Sequence, residues 1–299
     1  MRDVSFKPTT RRTATARAEL LALSVTIERV QRGDTPKGDP VPVAKVAAIQ
    51  ATKKTTEWIP YCHNIPIEHV DVKFFFEADR IAVEVFVISI ARTGVEMEAI
   101  TAAAAAVITL YDMLKMIDEG MEIGSIRLLA KTGGKSDLPS SEGWSAAVVV
   151  ASDRASRGEY EDKSGPILAE GLRAHGASGV TTSVVSDDAS AIEQAITSAV
   201  SAGAKVVVVT GGTGLGPRDV TSATVAKLVT TPLPGVVAAF QSYSQDRVPT
   251  AMLARPVAGI MQGALLLAIP GSPGACRDAL GALFPSVLHA WAMLEGGGH

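Results

Sequence analysis

The sequence predicts two domains: an N-terminal α+β domain and a C-terminal α/β domain built on a mostly parallel sheet. Three observations carry this. The chain has 299 residues, more than one hydrophobic core usually serves. A polar stretch with Pro and Gly, SDLPSSEGW at Ser136–Trp144, separates two blocks of different texture. Before it, an antiparallel hairpin pattern sits among helical patterns. After it, apolar strands alternate with helices in βαβαβ order. The expected boundaries are 1–137 for the first domain, 138–144 for the linker and 145–299 for the second.

In the first block, Val41–Lys54 places Val43, Val46, Ala47 and Ile49 on one side at helical spacing. Val70–Glu77 and Arg80–Ala91 alternate as strands and meet at a turn over Glu77-Ala-Asp79. Gly94–Lys115 reads as a long Ala-rich helix. Ser125–Ala130 reads as a last strand before Lys131-Thr-Gly-Gly-Lys135. In the second block, Ala146–Ala151, Val180–Val185, Lys205–Thr210 and Ala264–Ile269 are the expected strands. Asp162–His175, Ala189–Ala202, a segment from Ala223 and Pro273–Leu294 are the expected helices. Such an order predicts an open parallel sheet with helices on both faces, whose ligands sit at the carboxyl ends of the strands. Asp153, Asp187, Gly211–Asp219 and Pro270–Gly274 all follow expected strand ends.

Composition narrows the function classes. With 28 Lys+Arg against 31 Asp+Glu and a net charge of −3, the chain offers no general attraction to nucleic acid. The only two cysteines, Cys62 and Cys276, fall in different blocks, which argues against a disulfide framework or a cysteine metal site. The N-terminal residues MRDVSFKPTTRR lack an apolar signal core, and the apolar runs Ile100–Leu110 and Ala264–Ile269 are too short to span a bilayer. A cytoplasmic protein without membrane partners is expected.

The segment TGGTGLGPRDVT, Thr210–Thr221, leaves an apolar strand and enters a helix. Its glycines Gly211, Gly212, Gly214 and Gly216 allow positive φ and close approach, so that backbone N–H groups can face phosphate oxygens. It fits neither the Walker A loop nor the dinucleotide fingerprint, and a glycine-rich turn ending a core strand is the plainer reading. Thr221 is positioned to cap the following helix. Asp187, Asp188 and Asp219 are carboxylates beside this turn, where a bridging Mg²⁺ would reconcile them with phosphate. The alternatives are helix capping for Asp187 or Asp188, and a turn carboxylate paired with Arg218 for Asp219.

In the first block, Asp112 and Lys115 stand three apart on a helix, as an acid–base pair or as a surface ion pair. Glu96 and Glu98, two apart, converge only near a helix start. His63, in Tyr61-Cys-His-Asn64, is a lone histidine without a second metal ligand nearby.

Two resemblances tie these motifs together. SDRASRG at Ser152–Gly158 with Tyr160 and Asp162, then TGGTGLGPRDVT, then Ile269-Pro-Gly-Ser-Pro-Gly274 resemble the molybdopterin adenylyltransferase family over about Ala146–Trp291. That resemblance implies a Mg²⁺- and ATP-dependent adenylylation of molybdopterin with release of pyrophosphate. It places the glycine turn on Gly211, Gly212, Thr213 and Gly214, the key aspartates on Asp187 and Asp219, and the pterin side of the ligand at Ser272 and Gly274. In the first block, PKGD at Pro36–Asp39, CHN, TGVEMEA, YDMLK and LLAKTGGKS resemble cyclic pyranopterin monophosphate synthase over about Arg2–Asp137.

The second resemblance implies a ferredoxin-like domain that converts a cyclised dihydro-GTP intermediate to the pyranopterin with loss of pyrophosphate. It places the active site on Arg12, Lys37, His63, Glu96, Glu98, Asp112, Lys115 and Lys131. In it, Arg12, Lys37 and Lys131 serve as phosphate-binding cations and Lys115 moves the proton. Asn64 in place of a Pro, Arg92 in place of a Lys and KGDP in place of KGD with an aliphatic residue depart from that family's usual pattern. None removes a charged candidate. Together the resemblances imply a bifunctional fusion, assembled as a hexamer. The competing expectations are an inactive pterin-binding second domain and a non-catalytic scaffold.

Overall fold

The computed structural model describes residues 1–134, 142–294 and 296. It divides into two compact units, Met1–Asp137 and Leu138–His299. Of the expected linker, residues 138–141 lie outside the described residues.

In the first unit, strands β1 (Thr10–Leu21), β2 (His69–Phe76), β3 (Arg80–Ala91) and β4 (Glu122–Thr132) form an antiparallel sheet in the order β2-β3-β1-β4. Helices α1 (Ser24–Arg32), α2 (Pro40–Lys53), α3 (Thr55–Trp58) and α4 (Glu96–Leu114) accompany it. The core is built from small residues. Ala14, Ala16, Ala18 and Leu20 of β1 and Val83, Val85 and Val87 of β3 cluster with Ala99, Ala102, Ala103, Ala106 and Leu110 of α4. Ala44 and Ala48 of α2 join the same cluster, and alanine faces let helix and sheet approach closely. Although α4 is long and apolar enough to cross a membrane by length and composition, 61% of its apolar window is buried, as in a central core helix. Helix α1 starts without a cap of its own. Asp118, just beyond α4, accepts from Leu23 N–H (2.8 Å) and Thr26 Oγ1 (3.0 Å) instead.

The hairpin and α4 agree with the sequence. The central strand β1 does not appear among the sequence expectations. Its inward positions carry Ala, a weak strand former, and its outward ones carry Thr, Arg and Glu. Pairing on both edges overrides that weak local preference.

In the second unit, β5 (Trp144–Ala151), β6 (Ala177–Val185), β7 (Val206–Thr210), β8 (Thr231–Pro232), β9 (Val257–Met261) and β10 (Ala264–Ile269) form a sheet in the order β6-β5-β7-β10-β9-β8. The pairs β6-β5, β5-β7 and β7-β10 are parallel, and β9 and β8 are antiparallel additions at one edge. Helices are α5 (Asp153–Ser156), α6 (Ser164–Ala174), α7 (Ala189–Ser201), α8 (Thr221–Leu228), α9 (Pro234–Gln245), α10 (Pro273–Leu283) and α11 (Ala290–Leu294). Strand residues alternate between two cores. Val148, Val208 and Leu267 belong to one with Leu168, Phe240 and Leu283; Val149, Val209 and Leu266 belong to the other with Ile192, Ile196 and Val225. Helices therefore cover both faces, as the βαβαβ pattern predicts.

Two expectations change, and one hairpin is new. The expected helix Pro273–Leu294 breaks after Leu283, because Pro285 lacks an N–H and disfavours helical backbone at Phe284. Helix α8 begins at Thr221 itself, so Thr221 is its first residue and makes no capping bond. The β9–β10 hairpin turns through Gln262 and Gly263, both at positive φ (50° and 80°), a two-residue turn that Gln-Gly signals poorly.

Candidate functional site

In the first unit the candidate residues gather in two groups at opposite ends of α4. Asp112 lies sixteen residues beyond Glu96 on that helix, about 24 Å along the axis at 1.5 Å per residue.

At the far end, Asp112 receives Lys115 Nζ at 2.7 Å and Lys37 Nζ at 2.9 Å, and Lys37 also donates to the Asp112 carbonyl at 2.8 Å. Lys37 comes from the turn before α2, so this is more than an i,i+3 pair on one helix face. The Lys115 and Lys37 ammonium groups hold the Asp112 carboxyl down to about 2. Asp112 in turn raises Lys115 above the ordinary lysine value. Lys115 therefore stands ready as a cation and proton donor, and it becomes a base only after giving that proton up.

At the near end, Lys131 Nζ meets Glu96 Oε1 at 3.0 Å, and Arg12 Nη1 donates to Gly133 O at 2.9 Å. Arg12 Nε is buried and has no hydrogen-bond partner among the described residues. Burial alone would raise the Glu96 carboxyl, but its own backbone N–H, Lys131 and Arg12 outweigh it and leave it below the ordinary value. Glu98, only 4% exposed, is pushed up by burial, with the Glu96 charge adding to the effect. The two neighbouring carboxyls are thus driven apart, Glu96 below and Glu98 above the ordinary glutamate value. Burial, and secondly the charge of Glu98, push the Cys62 thiol up, which places the Cys62-His63 turn at this end. His63 Nε2 lies 2.9 Å from Arg2 O.

The Glu98 environment has a stability consequence. Its folded value lies above the ordinary 4.5, so the ionised form is disfavoured in the fold, and the cost appears as pH rises through the folded value. Glu98→Gln is expected to stabilise the fold at neutral pH, where the wild-type carboxylate carries its charge at a cost. That gain should disappear below about pH 4.5, where folded and unfolded chains both carry the proton. Thermal unfolding measured across pH checks both the sign and the window.

In the second unit, strand β7 delivers the glycine turn as expected. Gly211 and Gly212 have φ of 103° and 61°. A Cβ on Gly211 would lie 2.2 Å from Ala151 O, and one on Gly271 would lie 3.0 Å from Gly211 Cα. The turn is pressed between the ends of β5 and β10, where only glycine fits. Gly211→Ala is therefore expected to destabilise this unit by about 2 kcal/mol or more. Chemical denaturation of the full chain measures it.

Asp188 is the α7 N-cap, accepting from Ser190 and Ala191 N–H at 3.0 Å each. This settles which of the two aspartates caps. Asp187 and Asp153 clasp one another: Asp153 N–H donates to Asp187 Oδ2 (2.9 Å) and Asp187 N–H to Asp153 Oδ1 (3.0 Å). Arg218 binds Asp153 rather than Asp219. The Asp187 backbone N–H and the Arg218 guanidinium pull the Asp153 carboxyl below its usual value against burial. Asp219 Oδ2 accepts from Gly216 N–H at 2.7 Å. Asp187 Oδ1 and Asp219 Oδ1 accept no hydrogen bond from the described residues.

Two residues given no role from the sequence complete the turn: Asp153, noted there only as following a strand end, and Arg255. Asp153 orients Asp187, thirty-four residues away. Arg255 fastens the turn from outside, with Nε on Gly214 O and Nη2 on Asp219 O at 2.9 Å each. The strand-end position of Asp153 was the signal the sequence carried; nothing in the sequence signals Arg255.

The turn faces an open cavity of about 500 Å³, walled in part by Asp219, Leu253, Pro270 and Gly271. A second cavity of about 210 Å³ shares Thr250, Ala254 and Pro270 with it and reaches Ser272 and Gly274. Ser272 caps α10 by accepting from Ala275 N–H at 3.2 Å, which leaves its own O–H to donate.

Comparison with known proteins adds to this geometry. Residues 1–134 match the MoaC family, and residues 147–289 match a probable molybdopterin binding domain. A molybdenum cofactor biosynthesis bifunctional protein of Chlorobaculum tepidum is 40% identical over 299 residues, covering 100% of this chain and 96% of that protein. A cyclic pyranopterin monophosphate synthase of Novosphingobium aromaticivorans is 44% identical over 147 residues, covering 49% of this chain and 90% of that one. The solved Mog protein of Mycobacterium ulcerans shares 35% identity over 52% of this chain and 99% of its own, with a TM-score of 0.49.

Proposed function

The chain belongs to the bifunctional molybdenum cofactor biosynthesis proteins, and on that premise we propose how its two units divide the chemistry. The first works as a cyclic pyranopterin monophosphate synthase, and the second as a molybdopterin adenylyltransferase. The observation that carries the reading is that both polar sites stand built in one chain. The first has the Lys37–Asp112–Lys115 group, and the second has the Asp153–Asp187 clasp beside the glycine turn.

We read the first unit as ferredoxin-like, supported by its β-α-β-β-α-β order and its antiparallel sheet order β2-β3-β1-β4. Its two groups stand too far apart along α4 for the ring and phosphates of one nucleotide-derived substrate to engage both. The proposed active site therefore joins the Lys115 group of one copy to the Arg12, Glu96 and Lys131 group of another, and a hexamer would provide such pairings. In it, Lys131 and Arg12 take the triphosphate, Glu98 and His63 the guanine-derived edge, and Lys115 donates a proton while Asp112 holds it in place. A hydroxyl of the rearranged substrate attacks its own α-phosphorus, closing the cyclic phosphate as pyrophosphate leaves.

In the second unit, the turn at Gly211–Gly214 orients the ATP phosphates through backbone N–H groups, and the loop at Ser272–Gly274 holds the pterin side. The phosphate of molybdopterin attacks the α-phosphorus of ATP, and pyrophosphate leaves. Asp187 and Asp219 each keep one oxygen without a hydrogen bond at this turn, a donor set that suits Mg²⁺. Bound there, Mg²⁺ would neutralise phosphate charge.

Complementation tests the shared site. Lys115→Ala and Lys131→Ala damage different groups, and each alone should be inactive in pyranopterin formation. Unfolded and refolded together at equal amounts, they should recover about a quarter of wild-type activity, the fraction of sites drawing both intact groups at random. Recovery no greater than the sum of the separate variants would place all eight residues within one copy.

A further inference from the structure

We infer that Asp278, on α10, recognises the 2-amino-4-oxo edge of the pterin ring, with the ring seated in the smaller apolar cavity beside the glycine turn. The inference rests on the adenylyltransferase reading of the second unit and assigns to it the residue that selects the pterin.

Phe240, Val248, Ala251 and Pro270 give this cavity of about 210 Å³ apolar walls, suited to a flat heteroaromatic ring. Its polar side chains are Gln241, Ser244, Thr250, Ser272 and Asp278, of which only Asp278 carries a charge. Ser244 is 5% exposed, and its buried hydroxyl has no hydrogen-bond partner among the described residues. That hydroxyl lies against the Asp278 carboxylate, where it helps fix the carboxylate's orientation. The Asp278 side chain is 14% exposed, and its ion-pair partner is Arg247, 3.9 Å away and beyond hydrogen-bond reach. Ser244 stands beside the carboxylate without making a regular hydrogen bond. Burial pushes the Asp278 carboxyl above its ordinary value, with the nearby Ser244 hydroxyl and Arg247 opposing. A largely desolvated carboxylate, with the Ser244 hydroxyl beside it and Arg247 no nearer than 3.9 Å, lines a cavity of ring size.

The chemistry favours a pterin over adenine here. The 2-amino group and N3–H of a pterin are two adjacent donors, and they match the two oxygens of one carboxylate as a guanidinium does. Adenine places an N–H donor beside a ring-nitrogen acceptor, so one carboxylate oxygen would be repelled. The shared walls Thr250, Ala254 and Pro270 join this cavity to the one at the glycine turn, where the nucleotide phosphates go.

The test uses the full chain and two fluorescent probes, pterin and lumazine, the analogue whose 2-amino group is replaced by a carbonyl. The wild type should bind pterin at least tenfold more tightly than lumazine. Asp278→Asn offers one acceptor and one donor, which suits lumazine. It should lose pterin affinity tenfold or more, gain lumazine affinity, and bind Mg-ATP unchanged. Ser244→Ala keeps the carboxylate and should weaken pterin binding severalfold. Unchanged pterin preference in Asp278→Asn, equal loss of both probes, or no pterin binding by the wild type would overturn the inference. Adenylylation assayed on the wild type separates the two levels. Activity with an unaltered preference in Asp278→Asn sinks only the role of Asp278, whereas absence of adenylylation sinks the functional reading beneath it.

Discussion

Lys115→Ala is expected to reduce pyranopterin formation by about a hundredfold or more, the scale of a lost acid–base group, while leaving molybdopterin adenylylation at the wild-type rate. The structure gives the reason. Lys115 donates to Asp112 at 2.7 Å, and that carboxylate, held at about 2, keeps the ammonium charged and aimed. Removing it takes away the proton donor and leaves Asp112 facing Lys37 alone. The side chain, at the C-cap of α4, is half exposed, so the fold should survive the change. Lys115→Arg keeps the charge but not the readily transferred proton, and it should rescue substrate binding better than turnover. Near wild-type turnover in the alanine variant would reduce Lys115 to a surface ion pair.

Asp219→Ala is expected to lower adenylylation by on the order of a hundredfold or more and to leave pyranopterin formation intact. Two contributions are lost together: the acceptor that holds Gly216 N–H at 2.7 Å and the second oxygen, which takes no hydrogen bond from the chain. Asp219→Asn separates them, because the amide oxygen can still hold Gly216 while the charge is gone. An asparagine variant as poor as alanine assigns the loss to the charge; one close to wild type makes Asp219 a turn residue only. Pterin binding should persist in both, since the loop at Ser272–Gly274 is untouched.

Local signals in the sequence were legible. The glycine turn, the strand before it and the β2–β3 hairpin all follow from residues adjacent in the chain. What distance in sequence conceals was not. β1 escaped because alanines fill its inward face, and only its two partners make it a strand. Motif order places Lys37, Asp112, Lys115, Glu96 and Lys131 in one site, although the expected helix Gly94–Lys115 already sets Glu96 and Asp112 sixteen residues apart. What the sequence does not carry is which residues far apart in the chain, Lys37 and Lys131, join each end. Asp187 and Asp188 were indistinguishable as caps until the Asp153 backbone claimed one of them. Arg255 reaches the turn from forty-one residues beyond Gly214, with no local pattern to announce it.

The central claim is that one chain carries two separate activities. The most direct measurement incubates the purified full-length protein with the cyclised dihydro-GTP intermediate and, in a second vessel, with molybdopterin, ATP and Mg²⁺, and identifies the products by mass. The expected result is cyclic pyranopterin monophosphate in the first and adenylylated molybdopterin in the second, each with pyrophosphate. Formation of only one product, or of neither, would contradict it.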